Sequence, residues 1–189
     1  MRRSTILFSA LLVGAAAGLA WAQTGSGMKP APKSLTAKVG KQAGAALEAK
    51  SGSKVGGEAL FVEGKDVVTL HLQITGAEPG AHAVHIHETG DCSAADASSA
   101  GNHWNPSHEN HGKWGTAPFH HGDIGNVEVG ADGRAQLTLA SKLWTIGGAP
   151  ETDILGHAVI VHAKADDFTT QPSGNAGGRV ACGVIVKKD

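Results

Sequence analysis

The chain has 189 residues, 41% of them hydrophobic and only 4% aromatic, with 27 glycines and a formal net charge of −1. That length holds a single core in one domain, and the near-zero charge gives no bulk electrostatic reason to bind nucleic acid or an anionic membrane surface. Any attraction for an anion must therefore be local.

At the N-terminus, Arg2 and Arg3 precede an apolar run from Ile6 to about Leu19, followed by Ala20-Trp21-Ala22. A basic start, a short apolar stretch and an A-x-A site predict a signal peptide over residues 1–22. The run is shorter than the roughly 20 apolar residues that span a bilayer comfortably, which argues against an anchor. Export to the periplasm or the extracellular space is expected. Loss of Arg2 and Arg3 takes the basic residues from 16 to 14 against 17 acidic ones, a formal net charge of −3. The mature chain is thus expected to bind neither nucleic acid nor membrane. Residues 23–44 read as a tether, rich in Gly, Ser, Pro and Lys as far as Ser34 and without a clear period from 35 to 44. The folded domain is expected over residues 45–189.

Within the domain the pattern is one of short strands. Leu60–Glu63 and Val67–Ile74 flank a Gly64-Lys65-Asp66 turn, and Val68, Leu70, Leu72 and Ile74 alternate with polar residues as in a half-buried strand. Next comes HAVHIHETGDC (82–92). Alternate side chains of a strand share a face, so His85 and His87 point one way and Val84 and Ile86 the other. Two neighbouring imidazoles can bind a metal or sit in solvent, and this stretch alone does not decide between them. Val127–Val129 and Ala135–Leu139 flank Gly130-Ala131-Asp132-Gly133, a hairpin signal. Ala158, Ile160 and His162 alternate with Val159 and Val161, and Val180–Val186 forms a last apolar stretch. With no long helical period, the domain is expected to be all-β, an antiparallel sandwich or barrel. Residues 93–125 and 165–178 break the strand pattern and predict two long functional loops. Cys92 and Cys182 are the only cysteines, and a lone pair in an exported chain predicts a disulfide.

The first loop carries AGNHWNP (100–106), His108, His111 and FHHGDIGN (119–126). The second follows VIVHAKADD (159–167) and ends in GNAGGRVACG (174–183). Together with HAVHIHETGDC these motifs resemble the copper/zinc superoxide dismutases, in order and over nearly the whole domain from about Gly57. The resemblance implies a Greek-key β-sandwich or barrel, one copper and one zinc per subunit, and dismutation of the superoxide anion. It makes His85, His87, His103 and His162 the copper ligands, with His103 as a bridging imidazolate. His111, His120 and Asp123 complete the zinc site with His103. Asp166 becomes the carboxylate linking a copper histidine to a zinc histidine, and Arg179 the anion-positioning residue. His103 and Arg179 are the expected catalytic pair.

The chemistry of the donors agrees. Imidazole suits both metals, and an all-nitrogen set with an open side suits Cu(II). Three histidines and a carboxylate close a structural zinc site, and an outer carboxylate would fix ring orientation. An exported copper/zinc buffer or chaperone is the alternative function, although it would need neither Arg179 nor a shared His103. Other residues have simpler expectations: His71 in solvent, His82 in a structural hydrogen bond, His108 and His157 in surface loops, and Trp104 and Trp114 in loop packing. The motif His-x-Gly-Asp favours His120 over His121 at zinc. Between Asp167 and Gly174 the chain reads FTTQPS, without the charges that eukaryotic members use for steering; whether Lys113 takes over that task is open. The sequence does not choose between monomer and homodimer.

Overall fold

The computed structural model describes residues 40–189; the expected signal peptide and most of the tether lie outside them. Nine strands account for nearly all the regular structure: β1 (Gln42–Ala49), β2 (Gly56–Glu63), β3 (Val68–Thr75), β4 (Gly80–His87), β5 (Asp123–Val129), β6 (Ala135–Ser141), β7 (Ala158–His162), β8 (Arg179–Val184) and β9 (Val186–Lys188). The strand order β5-β4-β7-β8-β1-β2-β3-β6 is antiparallel throughout and curls into a nearly closed barrel. The β3–β4 and β6–β7 connections cross between its halves, as in a Greek key.

β1 begins at Gln42, in a stretch without a sequence period, because its two ends find different partners. Gln42–Gly44 pair with β9, while Glu48 and Ala49 pair with β8. The 130–133 turn also forms as expected, closed by Gly130 N–H on Arg134 O at 3.0 Å. Its two strands nevertheless do not pair. β6 runs along β3 and β5 along β4, so the turn spans the seam of the barrel instead of making a hairpin. Turn chemistry sets the reversal, but the two long ladders already claim both strands.

Two packed layers explain why β4 and β7 are buried on both faces. Val84, Ile86, Val159 and Val161 point into the barrel with Phe61, Leu70, Leu72 and Ile74. On the outer side Ala158, Ile160 and Cys182 are covered by Ala97 and Ala100 of the long segment 88–122. That cover is tied down by the Cys92–Cys182 disulfide, Cα atoms 5.8 Å apart. A third long connection spans residues 142–157. It seals one side of the barrel with buried Trp144, Ile146 and Ile154, and Trp144 meets Phe61 edge-on at 5.8 Å. Among the described residues, no helix is long and apolar enough to cross a membrane.

Candidate metal centre

The site grows from the covered outer face of β4 and β7. His85 and His87 lie on that face of β4, and His162 ends β7 beside them. Register shifts occur at Val84/His85 and again at Val161/His162, so both strands are irregular where a histidine must be aimed. His103 arrives from the long segment through an isolated antiparallel bridge to His87. His111, His120 and Asp123 follow along the same segment and the start of β5.

The donor atoms fall into two groups, each closing to within 4.8 Å: His85, His87, His103 and His162, and then His103, His111, His120 and Asp123. All seven residues are buried, and His103 belongs to both groups. The structure brings His120 into the second group and leaves His121 outside, its Nδ1 3.2 Å from Glu151 O.

In the first group, each strand histidine uses one ring nitrogen to anchor itself and leaves the other bare. His85 Nε2 meets Asp166 Oδ2 at 2.8 Å, His87 Nδ1 meets Gly101 O at 2.9 Å, and His162 Nδ1 meets Gly177 O at 3.3 Å. The opposite nitrogens, His85 Nδ1, His87 Nε2 and His162 Nε2, are buried without a hydrogen-bond partner, as is His103 Nε2. An unsatisfied buried polar atom costs roughly 1–3 kcal/mol, so four converging ones make sense only if something else satisfies them. Burial is the main reason that His85, His87 and His162 are shifted to lower pKa, and it takes His103 down to about 4. The group therefore offers four neutral lone pairs at ordinary pH, the form in which imidazole binds a metal.

The second group is organised by carboxylates. Asp123 Oδ1 lies 2.8, 3.0 and 3.2 Å from Nδ1 of His103, His111 and His120; the approach to His111 is an ion-pair contact without hydrogen-bond geometry, so His111 Nδ1 is a fifth buried nitrogen without a hydrogen-bond partner. Asp123 Oδ2 accepts the backbone N–H groups of Gly112 and His120. Burial works to raise its carboxyl, yet the contacts with these three histidines outweigh it and hold it well below the usual range. Burial likewise pulls His111 down, but Asp123 and Asp166 prevail and raise it to about 9. Asp166 spans both groups, Oδ2 on His85 and Oδ1 on His111 Nε2 at 2.9 Å. Its own backbone is held by Asn126, whose side chain accepts Asp166 N–H at 2.7 Å and donates to Asp166 O at 2.9 Å.

A cavity of about 620 Å³ opens above His87, His103 and His162, and Arg179 stands at its wall. The guanidinium donates to Ala97 O and Gly101 O, both at 2.7 Å, which fixes it beside the cavity with N–H groups to spare. Outside the site, His71 is exposed, His82 bonds His162 O and Glu78 O at 2.8 Å each, and His157 bonds Glu88 O. His108 is an exposed loop residue at the cavity rim. Trp104 is buried against His157, and Trp114 packs on Trp144 and Phe119. Lys113 stands over the Phe168 ring, 5.8 Å from its centroid, and takes no part in the cavity wall. Asn126 and the carbonyls of Gly101 and Gly177 were missed in the sequence: a backbone acceptor has no residue signature, and Asn126 reads as a strand residue.

The chain is similar to known proteins in three respects. A model of the copper/zinc superoxide dismutase family matches residues 55–185. A relative from Caulobacter vibrioides (strain ATCC 19089 / CIP 103742 / CB 15), named superoxide dismutase, Cu-Zn, is 41% identical over 137 residues, which cover 70% of this chain and 79% of the relative. A crystal structure of the clock protein EA4 is similar with a TM-score of 0.69 and 36% identity, over 78% of this chain and 94% of that one.

Proposed function

This chain belongs to the copper/zinc superoxide dismutase family, and from that premise we propose how its own residues divide the work of converting superoxide to dioxygen and hydrogen peroxide. The observation that carries the assignment is the set of four bare, buried imidazole nitrogens beside a carboxylate-bound second group. His85 Nδ1 and the Nε2 atoms of His87, His103 and His162 would hold copper. His103, His111 and His120 through Nδ1, with Asp123 Oδ1, would hold zinc.

When bound, copper supplies the centre that takes an electron from one superoxide and gives it to the next, while zinc supplies fixed positive charge without redox chemistry. Arg179 receives each anion at the cavity wall, its charge held in place by two carbonyls. Over the cycle one superoxide would leave as dioxygen and the next, with two protons, as hydrogen peroxide. His103 would take up one of these protons from water at Nε2 and hand it to the second anion, and the other would come directly from water. His103 is suited to this shuttle because its Nε2 has no other partner and it lines the same cavity as Arg179. Asp166 keeps the His85 and His111 rings in orientation.

The metal-buffer alternative is less well supported, because it gives no use to an anchored Arg179 or to one imidazole shared between two groups. The disulfide supports export, and we place the signal peptide at residues 1–22 and the tether after it, with the catalytic domain following. The deciding experiment follows superoxide decay with the purified chain, metal-free and then loaded with copper and zinc. Copper-dependent acceleration is expected; tight binding of both metals without acceleration would overturn the enzymatic reading in favour of the buffer.

A further inference from the structure

The uncharged segment FTTQPS, poorly suited to steering an anion, folds tightly back on the zinc-side group. Asp167 accepts N–H bonds from Thr169 and Thr170 at 2.9 and 2.8 Å and the Thr170 hydroxyl at 2.6 Å. Gly174 N–H closes the loop on Thr170 O at 2.7 Å. Gly174 has φ +67°, and a Cβ there would collide with Asp166 Oδ1 and sit 2.7 Å from His111 Nε2. The loop therefore lies directly against the Asp166–His111 contact.

From this loop Gln171 reaches His111, 60 residues away in sequence. Its Oε1 accepts the His111 backbone N–H at 2.9 Å, and its Nε2 donates to the His111 backbone O at 2.9 Å. The pairing is complementary in only one orientation of the amide, with oxygen toward N–H and NH₂ toward C=O. His111 is thus gripped at three points by one loop: both backbone polar groups by Gln171, and ring Nε2 by Asp166. Among the described residues, Gln171 is the sole hydrogen-bond partner of the His111 backbone N–H and C=O.

We propose that Gln171 is a positioning residue for the zinc-side group, an amide clamp that sets the His111 backbone in place before the metal arrives and latches the second long loop to the first. The uncharged loop then serves to preorganise the metal site. The proposal rests on His111 being a zinc ligand, and it extends that assignment to a side chain that touches no metal. Because Gln171 is exposed, its replacement should leave the barrel folded.

The test compares wild type with Gln171→Met, which cannot make either bond, and Gln171→Glu, which keeps the acceptor for the N–H. Ser173→Ala is the control in the same loop. Zinc affinity is measured by chelator competition on the copper-free chain, copper affinity in parallel, and exchange of the His111 amide hydrogen with and without zinc. Losing two hydrogen bonds should weaken zinc binding about tenfold or more and speed His111 amide exchange in Gln171→Met. Gln171→Glu should fall in between, and Ser173→Ala should match wild type. Zinc affinity within twofold of wild type in Gln171→Met, unchanged His111 exchange, an equal loss of copper affinity, or an equal loss in Ser173→Ala would each overturn the clamp. His111→Ala, run alongside, separates the two ideas. If it keeps wild-type zinc affinity, the ligand assignment fails, while amide exchange in the metal-free chain still judges the clamp alone.

Discussion

The two halves of the site reach metal readiness by opposite physical routes. The His85, His87 and His162 side stands on strands, where burial, helped at His87 and His162 by neighbouring histidines and Arg179 and outweighing Asp166 at His85, lowers the rings' proton affinity and leaves their lone pairs bare. The His111 and His120 side stands on a long connection, where two carboxylates outweigh burial and pull a proton onto His111. A strand ladder can hold donors rigidly enough to leave them unsatisfied. A loop needs opposite charges to hold its donors together, and those same charges must later give way to the metal. His103 is where the two solutions meet, with Nδ1 on Asp123 and Nε2 bare.

The comparison is broken most severely at Asp123. Asp123→Asn removes the charge that gathers three histidines, and breaking a buried pair of this kind costs about 3–5 kcal/mol. Zinc affinity should fall at least a hundredfold while copper affinity changes far less, read by competition with chelators for each metal. Equal losses for both metals would mean that the halves are not separately organised.

Asp166→Asn attacks the link between them. It leaves His85 and His111 without their shared carboxylate, and an outer partner of this kind is worth about 10–100-fold in affinity. Both metals should weaken together, which separate titrations would show. Arg179→Ala should slow superoxide capture by about tenfold, the scale of a local electrostatic guide, with both metal affinities unchanged. An unaltered rate would remove Arg179 from the mechanism.

The smallest expected effect sharpens the contrast through pH. In the metal-free protein His103, lowered to about 4, is neutral when folded but protonated when unfolded, so stability is lost as pH falls from about 6.5 towards 4. His111, raised to about 9, does the reverse: its contribution is complete below about 6.5 and is lost as pH rises to about 9. Thermal unfolding of the metal-free chain should therefore show a maximum near neutrality. Zinc should remove the alkaline decline, because the metal replaces the proton on His111. A decline of equal size with zinc bound would contradict this account.

Much of this was legible from the motifs that carry the family resemblance. Through them His85, His87, His103, His111, His120, Asp123, His162 and Asp166 could each be named as candidates for the two groups, and a lone cysteine pair in an exported chain pointed to the Cys92–Cys182 bond now seen. The strand alternation of Val68–Ile74 likewise appears as β3. Apart from Asp166, the partners of those residues were not legible. Gly101 O, Gly177 O, the Asn126 amide and the Gln171 clamp act through contacts between residues far apart in sequence, and half of them are backbone atoms. The 130–133 turn shows the same limit, since its local signal was correct but its strands paired elsewhere.

The sequence by itself determined the strand character and the disulfide pair, because these depend on local periodicity and on the chemistry of single side chains; the export signal and, through the family resemblance, the candidate metal donors were expectations. Only the tertiary structure decided which nitrogen of each ring is bare, how burial and carboxylates push the two halves apart in proton affinity, and where β5 and β6 lie. Desolvation, charge and hydrogen-bond partnership belong to the packed neighbourhood of an atom, and that neighbourhood is assembled from segments that the linear chain keeps apart.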